Sequence, residues 1–314
     1  EGGPLEFRLM TFGYLVIRAA QLELWVRVAR TSEQYAEVAW RSVVVMFGAT
    51  SLWLMLALVR PDARIALPLG VALGAMELIK PKLTQGRATG TPWHPHHIAE
   101  RYGLLVIIAL GEGVVGAVAA TPTDPSRWNV DTILVAIAGV GIPFGLWWTY
   151  FGVPFGGLLH ARPKRGFAFG YGHIAVFAAI AAVGAGLHLV GLAGLDGVVP
   201  EVAAEGAHAV AEGAVAAAEG AGVISAAEGA AISARTALAW TAAPVLIFNI
   251  CVVAIQSSLA GRPRFVEYIG LAAMLALIIL AWVLAGFSVG WGLITVIAAA
   301  FAPVVTRAVS SSPS

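Results

Sequence analysis

Charge is scarce in this sequence. Asp, Glu, Lys and Arg make up 12% of its 314 residues, where a soluble domain carries about 25%, and that excludes an ordinary water-soluble globule. Cysteine is nearly absent: the single Cys251 lies inside an apolar run, so a disulfide framework within the chain and a zinc site built on thiolates are both excluded. Its expected role is a small core hydrophobe. Phosphate-cradling loops are missing as well, with no G-x-x-x-x-G-K-[ST] and no G-x-G-x-x-G opening a helix after a strand. No basic cluster or stripe stands out from the short loops, so the formal net charge of +1 gives no footprint for nucleic acid.

Apolar residues are abundant instead. They form 59% of the chain, and the mean hydropathy is +0.84. Runs of about 20 apolar residues recur along the whole length, each enough to cross roughly 30 Å of hydrocarbon at about 1.5 Å per residue. The expected fold is all-α, a polytopic transmembrane helical bundle forming one integral-membrane domain over residues 1–314. Windows bounded by charge, Pro or Gly predict nine spans, at about 6–28, 40–59, 64–80, 97–120, 130–152, 167–193, 237–259, 265–285 and 288–307. The first window is the weakest, because Arg8, Arg18, Glu23 and Arg27 interrupt it; it reads equally as an interfacial or bundle-facing helix. Between the last two, 286-GFSVGWG-292 supplies glycines for a tight turn, with one long broken helix as the alternative.

Orientation follows from the side on which Lys and Arg accumulate. On alternating sides of a nine-span chain, twelve fall on the side of the C-terminus, among them Arg162, Lys164 and Arg165, against far fewer, among them Arg60, Arg64 and Arg127, on the other. This predicts a multi-pass protein of the bacterial inner membrane with a cytoplasmic C-terminus. Residues 199–236 read as an Ala/Glu/Gly-rich low-complexity insert outside the cytoplasm, with Glu205, Glu212 and Glu219 each followed by Gly. Gly once per heptad weakens a helix by about 1 kcal/mol each time, and no Leu or Ile seam is present, so a coiled coil is a poor reading. The chain begins with Glu1 and shows no charged n-region with a cleavage site, which reads as an N-terminal truncation with helices missing upstream.

The polar residues inside apolar windows are the candidates for chemistry. A charge at the centre of a membrane helix costs at least about 2.5–3.5 kcal/mol, so it is expected to face protein or a wet cavity. The run 97-HIAERYGLLVIIALGEGVVG-116 concentrates such groups. At about 100° per residue, His97, Arg101 and Glu112 share one stripe, with Arg101 and Glu112 about 16 Å apart along the axis; each therefore needs a partner from another helix. Glu100 widens the polar end, although interfacial residues capping a first turn would look similar. Glu112 lies mid-span between Gly111 and Gly113, with Gly116 one turn on, where helices can approach closely. A buried acid, paired or protonated, is expected there. Candidate partners are Arg18, Glu77 and Asn249. The cluster 147-WWTYF-151 contributes Trp147, Trp148 and Tyr150, alternatively an interfacial aromatic belt, and 170-GYGH-173 contributes His173, either a hydrogen-bonded bundle histidine or a proton-relay group. His97 and Glu100 at i, i+3 are a weak metal signal without a second Glu-x-x-His, and no metal is expected.

The run from His97 to Gly116 resembles the signature helix of the bacterial low temperature requirement A family, in which His-x-x-Glu-Arg-x-Gly-Leu leads into a Leu-Gly-Glu centre. The similarity extends to 13-GYLVIRAAQL-22, to 147-WWTYF-151 and to Tyr171 and His173, and covers nearly the whole chain. Gly152 stands where the family pattern carries an acidic residue after the Tyr-Phe pair, and the family's N-terminal Phe-Phe-Asp segment is absent. The resemblance implies a polytopic membrane protein connected with growth in the cold, and no reaction.

The leading functional expectation is a transporter or ion-coupled carrier for an unspecified small solute or ion, with Glu112, Arg101, Glu100 and His97 forming an intramembrane site. The alternative is an integral-membrane enzyme or a protein binding a cofactor or lipid-soluble ligand through His97, His173 and the Trp147 cluster. A third reading is a structural component whose charges only lock helices together. Catalytic residues and cofactors stay unassigned, the lipid bilayer is the expected partner, nucleic acid is not, and the sequence leaves the oligomeric state open.

Overall fold

Among the described residues, nine long helices cover the nine predicted windows, and seven of them have the length and apolarity of a membrane span. The computed structural model describes residues 4–59, 63–85, 92–119, 121, 126, 128–194, 234–261 and 265–311, and no strand occurs among them. The helices are α1 (Pro4–Thr31), α2 (Ala36–Val59), α3 (Ala63–Gln85), α4 (Pro95–Ala119), α5 (Val130–Phe151), a short α6 (Phe155–Ala161), α7 (Gly166–Gly194), α8 (Ala234–Ala260), α9 (Phe265–Leu284) and α10 (Val289–Ser311). Most of the low-complexity insert, residues 195–233, lies outside the described residues. Seven helices are long and apolar enough to cross a membrane, so the chain is a multi-pass α-helical membrane protein. The other two are α1, charged along its length at Arg18, Glu23, Arg27 and Arg30, and α3, which carries Glu77, Lys80 and Lys82 and is interrupted by Pro68 and Pro81.

The described residues fall into two compact units, residues 1–93 and 94–314. In the first, α2 packs on both α1 and α3. Its contact stripe is Val38, Ala39, Ser42, Met46 and Ala49, the three-and-four spacing of one helical face.

In the second unit, α7 packs on α8, α9 on α10, α10 on α5, and α4 on both α5 and α7. A continuous core of Val106, Ile142, Leu146, Ile180, Phe248 and Leu293 runs through it. Close approach is built on small residues. A Cβ at Gly116 of α4 would stand 2.8 Å from the backbone oxygen of Gly184 on α7, and one at Gly113 would stand 3.3 Å from Cγ of Pro143 on α5. The expected contact at Gly113 and Gly116 is therefore present, whereas Gly111 has nothing within 4 Å. Large apolar side chains on the outer faces, such as Ile108, Val115 and Trp291, are exposed, as suits helices bathed in lipid tails rather than water.

Helix ends follow local chemistry. Asn129 caps α5 by accepting the Thr132 N–H at 2.8 Å. Gly261 stops α8 at φ 85°, its N–H reaching the Ser257 carbonyl at 2.8 Å, a left-handed terminus that favours glycine. Residues 285–288 form a tight turn between α9 and α10, closed by the Gly286, Phe287 and Ser288 N–H groups on carbonyls of α9. Gly261 is the positive-φ glycine among the described residues, so this turn does not use the left-handed freedom of its glycines. The short α6 (Phe155–Ala161) falls in the gap between the windows 130–152 and 167–193 and has no counterpart among them.

Candidate functional site

The start of α4 carries His97, Glu100 and Arg101 on its surface. All three are exposed, and among the described residues none is part of an ion pair. The buried face of this helix is the stripe Gly103, Val106, Leu110, Gly113 and Ala117, which packs on α5 and α7. Arg101 shares its face with the exposed Leu104, Leu105 and Ile108, since three, four and seven residues return to one side of a helix. Glu112 belongs to α4, and its side chain lies outside the described residues.

Tyr150 and His173 are brought together. Both are buried, and Tyr150 Oη stands 2.7 Å from His173 Nε2, while His173 Nδ1 stands 2.7 Å from the Phe169 carbonyl. A carbonyl only accepts, so Nδ1 carries a proton; in the neutral ring Nε2 then accepts from the tyrosine O–H. Both ring nitrogens are occupied, and a proton relay through this histidine would have to break one of the two bonds. Rings of Phe169 at 4.3 Å and Tyr102 at 4.6 Å, with Phe155 and Phe177 beyond, enclose it. The pair cross-braces α5 and α7.

Trp147 and Trp148 lie on the outer side of α5. Both are exposed. Phe144 stacks on Trp147 at 5.5 Å and 11°, and meets Trp148 edge-on. Asn249 is fully buried in α8; its amide donates to the Val245 carbonyl at 2.9 Å, and its Oδ1 has no hydrogen-bond partner among the described residues.

Arg18 and Glu77 pair with each other, inside the first unit. Lys80 Nζ joins them, 2.8 Å from the same carboxylate oxygen, Glu77 Oε2. Arg18 also donates to Gln21 Oε1 at 3.2 Å and lies 4.9 Å above the Tyr14 ring, which in turn sits edge-on to Trp53 at 6.1 Å. The three charged side chains are only 14–15% exposed. They border a cavity of about 590 Å³ whose remaining wall includes Leu24, Trp25, Val28, Met46 and Pro81. Ser42 and Thr84, also on the wall, turn their hydroxyls onto helix carbonyls of Val38 and Lys80. Polarity at this void is therefore concentrated at one end.

Two features now coincide: a set of membrane-length helices, and tyrosine, arginine, glutamate and histidine side chains placed along the described helices. The family model for the bacterial low temperature requirement A protein (LtrA) matches residues 3–302. The chain belongs to this family. No curated protein and no solved structure matches it. Membership of the low temperature requirement A family agrees with a multi-pass membrane protein and leaves its chemistry to be argued from the residues.

Several side chains of this family member enter the picture only through the structure. Lys80, Gln21 and Trp25 complete the surroundings of Arg18 and Glu77. A readable signal existed: Tyr14, Arg18 and Gln21 follow one another at i, i+4 and i+7, and Glu77 and Lys80 at i, i+3, spacings that put each set on one helical face. Among the described residues, no cluster of three or more His, Cys, Asp or Glu side chains is arranged to hold a metal ion. What the first unit can do chemically is bind: a half-enclosed void with clustered charge at one end and apolar walls elsewhere suits a small amphipathic molecule.

Proposed function

We propose that this membrane protein is a carrier that moves a small solute or ion across the bilayer from a polar site within its helices. The observation that supports this best is the cavity bounded by α1, α2 and α3, with Arg18, Gln21, Glu77 and Lys80 on its wall. Its volume of about 590 Å³ falls within the roughly 300–1,000 Å³ of small-molecule sites. Glu112 is the proposed coupling acid: loss or gain of its proton in a poorly screened bundle would shift the relative energies of helix packings. His97, Glu100 and Arg101 belong to the proposal as the polar groups at the start of the same helix. The asymmetry of Lys and Arg supports placing the protein in the bacterial inner membrane with its C-terminus in the cytoplasm.

A second reading is a protein that holds a lipid-soluble ligand without moving it, and the exposed stack of Phe144, Trp147 and Trp148 favours it. The two separate in proteoliposomes adsorbed on a solid-supported membrane and challenged with jumps of small carboxylates, alkyl sulfonates, amino acids and alkali cations. A carrier gives a protein-dependent current for at least one class, reduced severalfold in Glu112→Gln. Equilibrium binding without any current or label uptake would remove carriage and leave the second reading.

A further inference from the structure

The wall of the cavity in the first unit holds more positive charge than its one carboxylate neutralises. Arg18 and Lys80 both converge on Glu77 Oε2, which leaves the group one positive charge in excess. Neither cation exhausts its hydrogen-bonding capacity. Lys80 commits one ammonium N–H to Glu77, and Arg18 commits its guanidinium to Glu77 and Gln21; each carries further N–H groups beyond these bonds. The rest of the wall, with Leu24, Trp25, Val28 and Met46, offers contact to hydrocarbon only.

We infer that the cavity binds an amphiphile with a single oxyanion head, the head on Arg18 and Lys80 and the apolar chain along Leu24, Trp25, Val28 and Met46. This rests on reading the cavity as the ligand site of the proposed carrier. One negative charge neutralises the excess; a second would leave net negative charge in a poorly hydrated place. Arg18 and Lys80 also supply the charge-assisted hydrogen bonds that sulfonate, carboxylate and phosphate oxygens accept best. Two sources carry this chemistry: an anionic phospholipid of the surrounding bilayer, or a free alkyl anion.

The test is binding of labelled octanesulfonate to the full chain in nanodiscs of zwitterionic phosphatidylcholine, with empty nanodiscs subtracted. Octanesulfonate is expected to bind at least tenfold more tightly than octyl glucoside, octyltrimethylammonium or inorganic sulfate. Lys80→Gln, which leaves Arg18 to pair with Glu77, is expected to weaken binding about tenfold, and Glu77→Gln, which raises the excess charge, to tighten it. Val28→Trp, which fills the void from the apolar side, is expected to abolish binding while the protein stays monodisperse. Equal affinity for the neutral and anionic chains, or no change in Lys80→Gln, would overturn the inference. Replacing phosphatidylcholine with phosphatidylglycerol identifies the source: competition assigns the site to bilayer lipid, and its absence to a free anion. Because no transport is measured, binding without uptake sinks the carrier reading alone, and uptake without anion-selective binding sinks this inference alone.

Discussion

The two units use polar side chains in opposite ways. In residues 94–314 several of them tie helices together: His173 has a partner on each ring nitrogen, Thr149 donates to the Ala300 carbonyl at 3.2 Å, Asp131 accepts from Ser288, and Arg307 donates to Gln256 at 3.1 Å. In residues 1–93 they gather at a void, where Arg18 and Lys80 share the single carboxylate of Glu77. A satisfied network rigidifies a bundle, whereas a charged group with spare capacity beside a cavity is ready for something that enters. The difference separates a scaffold from a candidate site more cleanly than abundance of charge does, since the most heavily charged stretch of α4 has the fewest partners.

The largest effect that would sharpen this contrast is expected from Glu77→Ala. Without the carboxylate, Arg18 and Lys80 are left together with no counter-charge, and removal of one partner of a little-exposed ion pair costs about 3–5 kcal/mol. Unfolding of the purified protein in an SDS titration should shift accordingly; an unchanged midpoint would mean that the cluster is already well hydrated. Next comes Tyr150→Phe, which leaves His173 Nε2 buried without its donor, at a cost of about 1–3 kcal/mol. Pairing it with His173→Phe should recover part of that loss, and strictly additive losses would break the cross-brace account. Gly116→Ala is expected to cost about 1–3 kcal/mol, because the new methyl group meets backbone at Gly184 and neither helix can yield locally. Gly111→Ala meets nothing within 4 Å and should be neutral or stabilising by up to about 1 kcal/mol through helix propensity; equal losses at Gly111 and Gly116 would contradict the packing described for α4. The smallest effect is expected from Arg101→Gln, within about 0.5 kcal/mol for an exposed side chain, so a loss of uptake there with stability intact would point to function.

Much of the fold was legible because hydrophobic windows and helix-breaking residues act locally. The windows at 130–152 and 265–285 lie within a residue of α5 (Val130–Phe151) and α9 (Phe265–Leu284). The short α6 escaped because seven residues give no membrane-length window. Pairing between helices was far less legible. By sequence Arg18 and Glu77 are candidate partners for charges on α4, and nothing in their own segments says that they meet each other across 59 positions of sequence. Likewise 147-WWTYF-151 places five residues in a row, yet helix geometry sends Tyr150 inward to His173 and Trp147 and Trp148 outward. The part of the site that could have been read is the part that repeats at three and four residues, namely Tyr14, Arg18 and Gln21 on one helix and Glu77 and Lys80 on another.

The location of the bound anion is the most direct test. An octanesulfonate analogue with a terminal diazirine, photolysed on the protein in phosphatidylcholine nanodiscs and mapped by peptide mass, is expected to label Leu24–Val28 and Ser42–Met46, with labelling lost in Lys80→Gln. Labelling confined to the exposed apolar faces of α4, α5 and α10 and indifferent to Lys80 would contradict a binding site in the first unit.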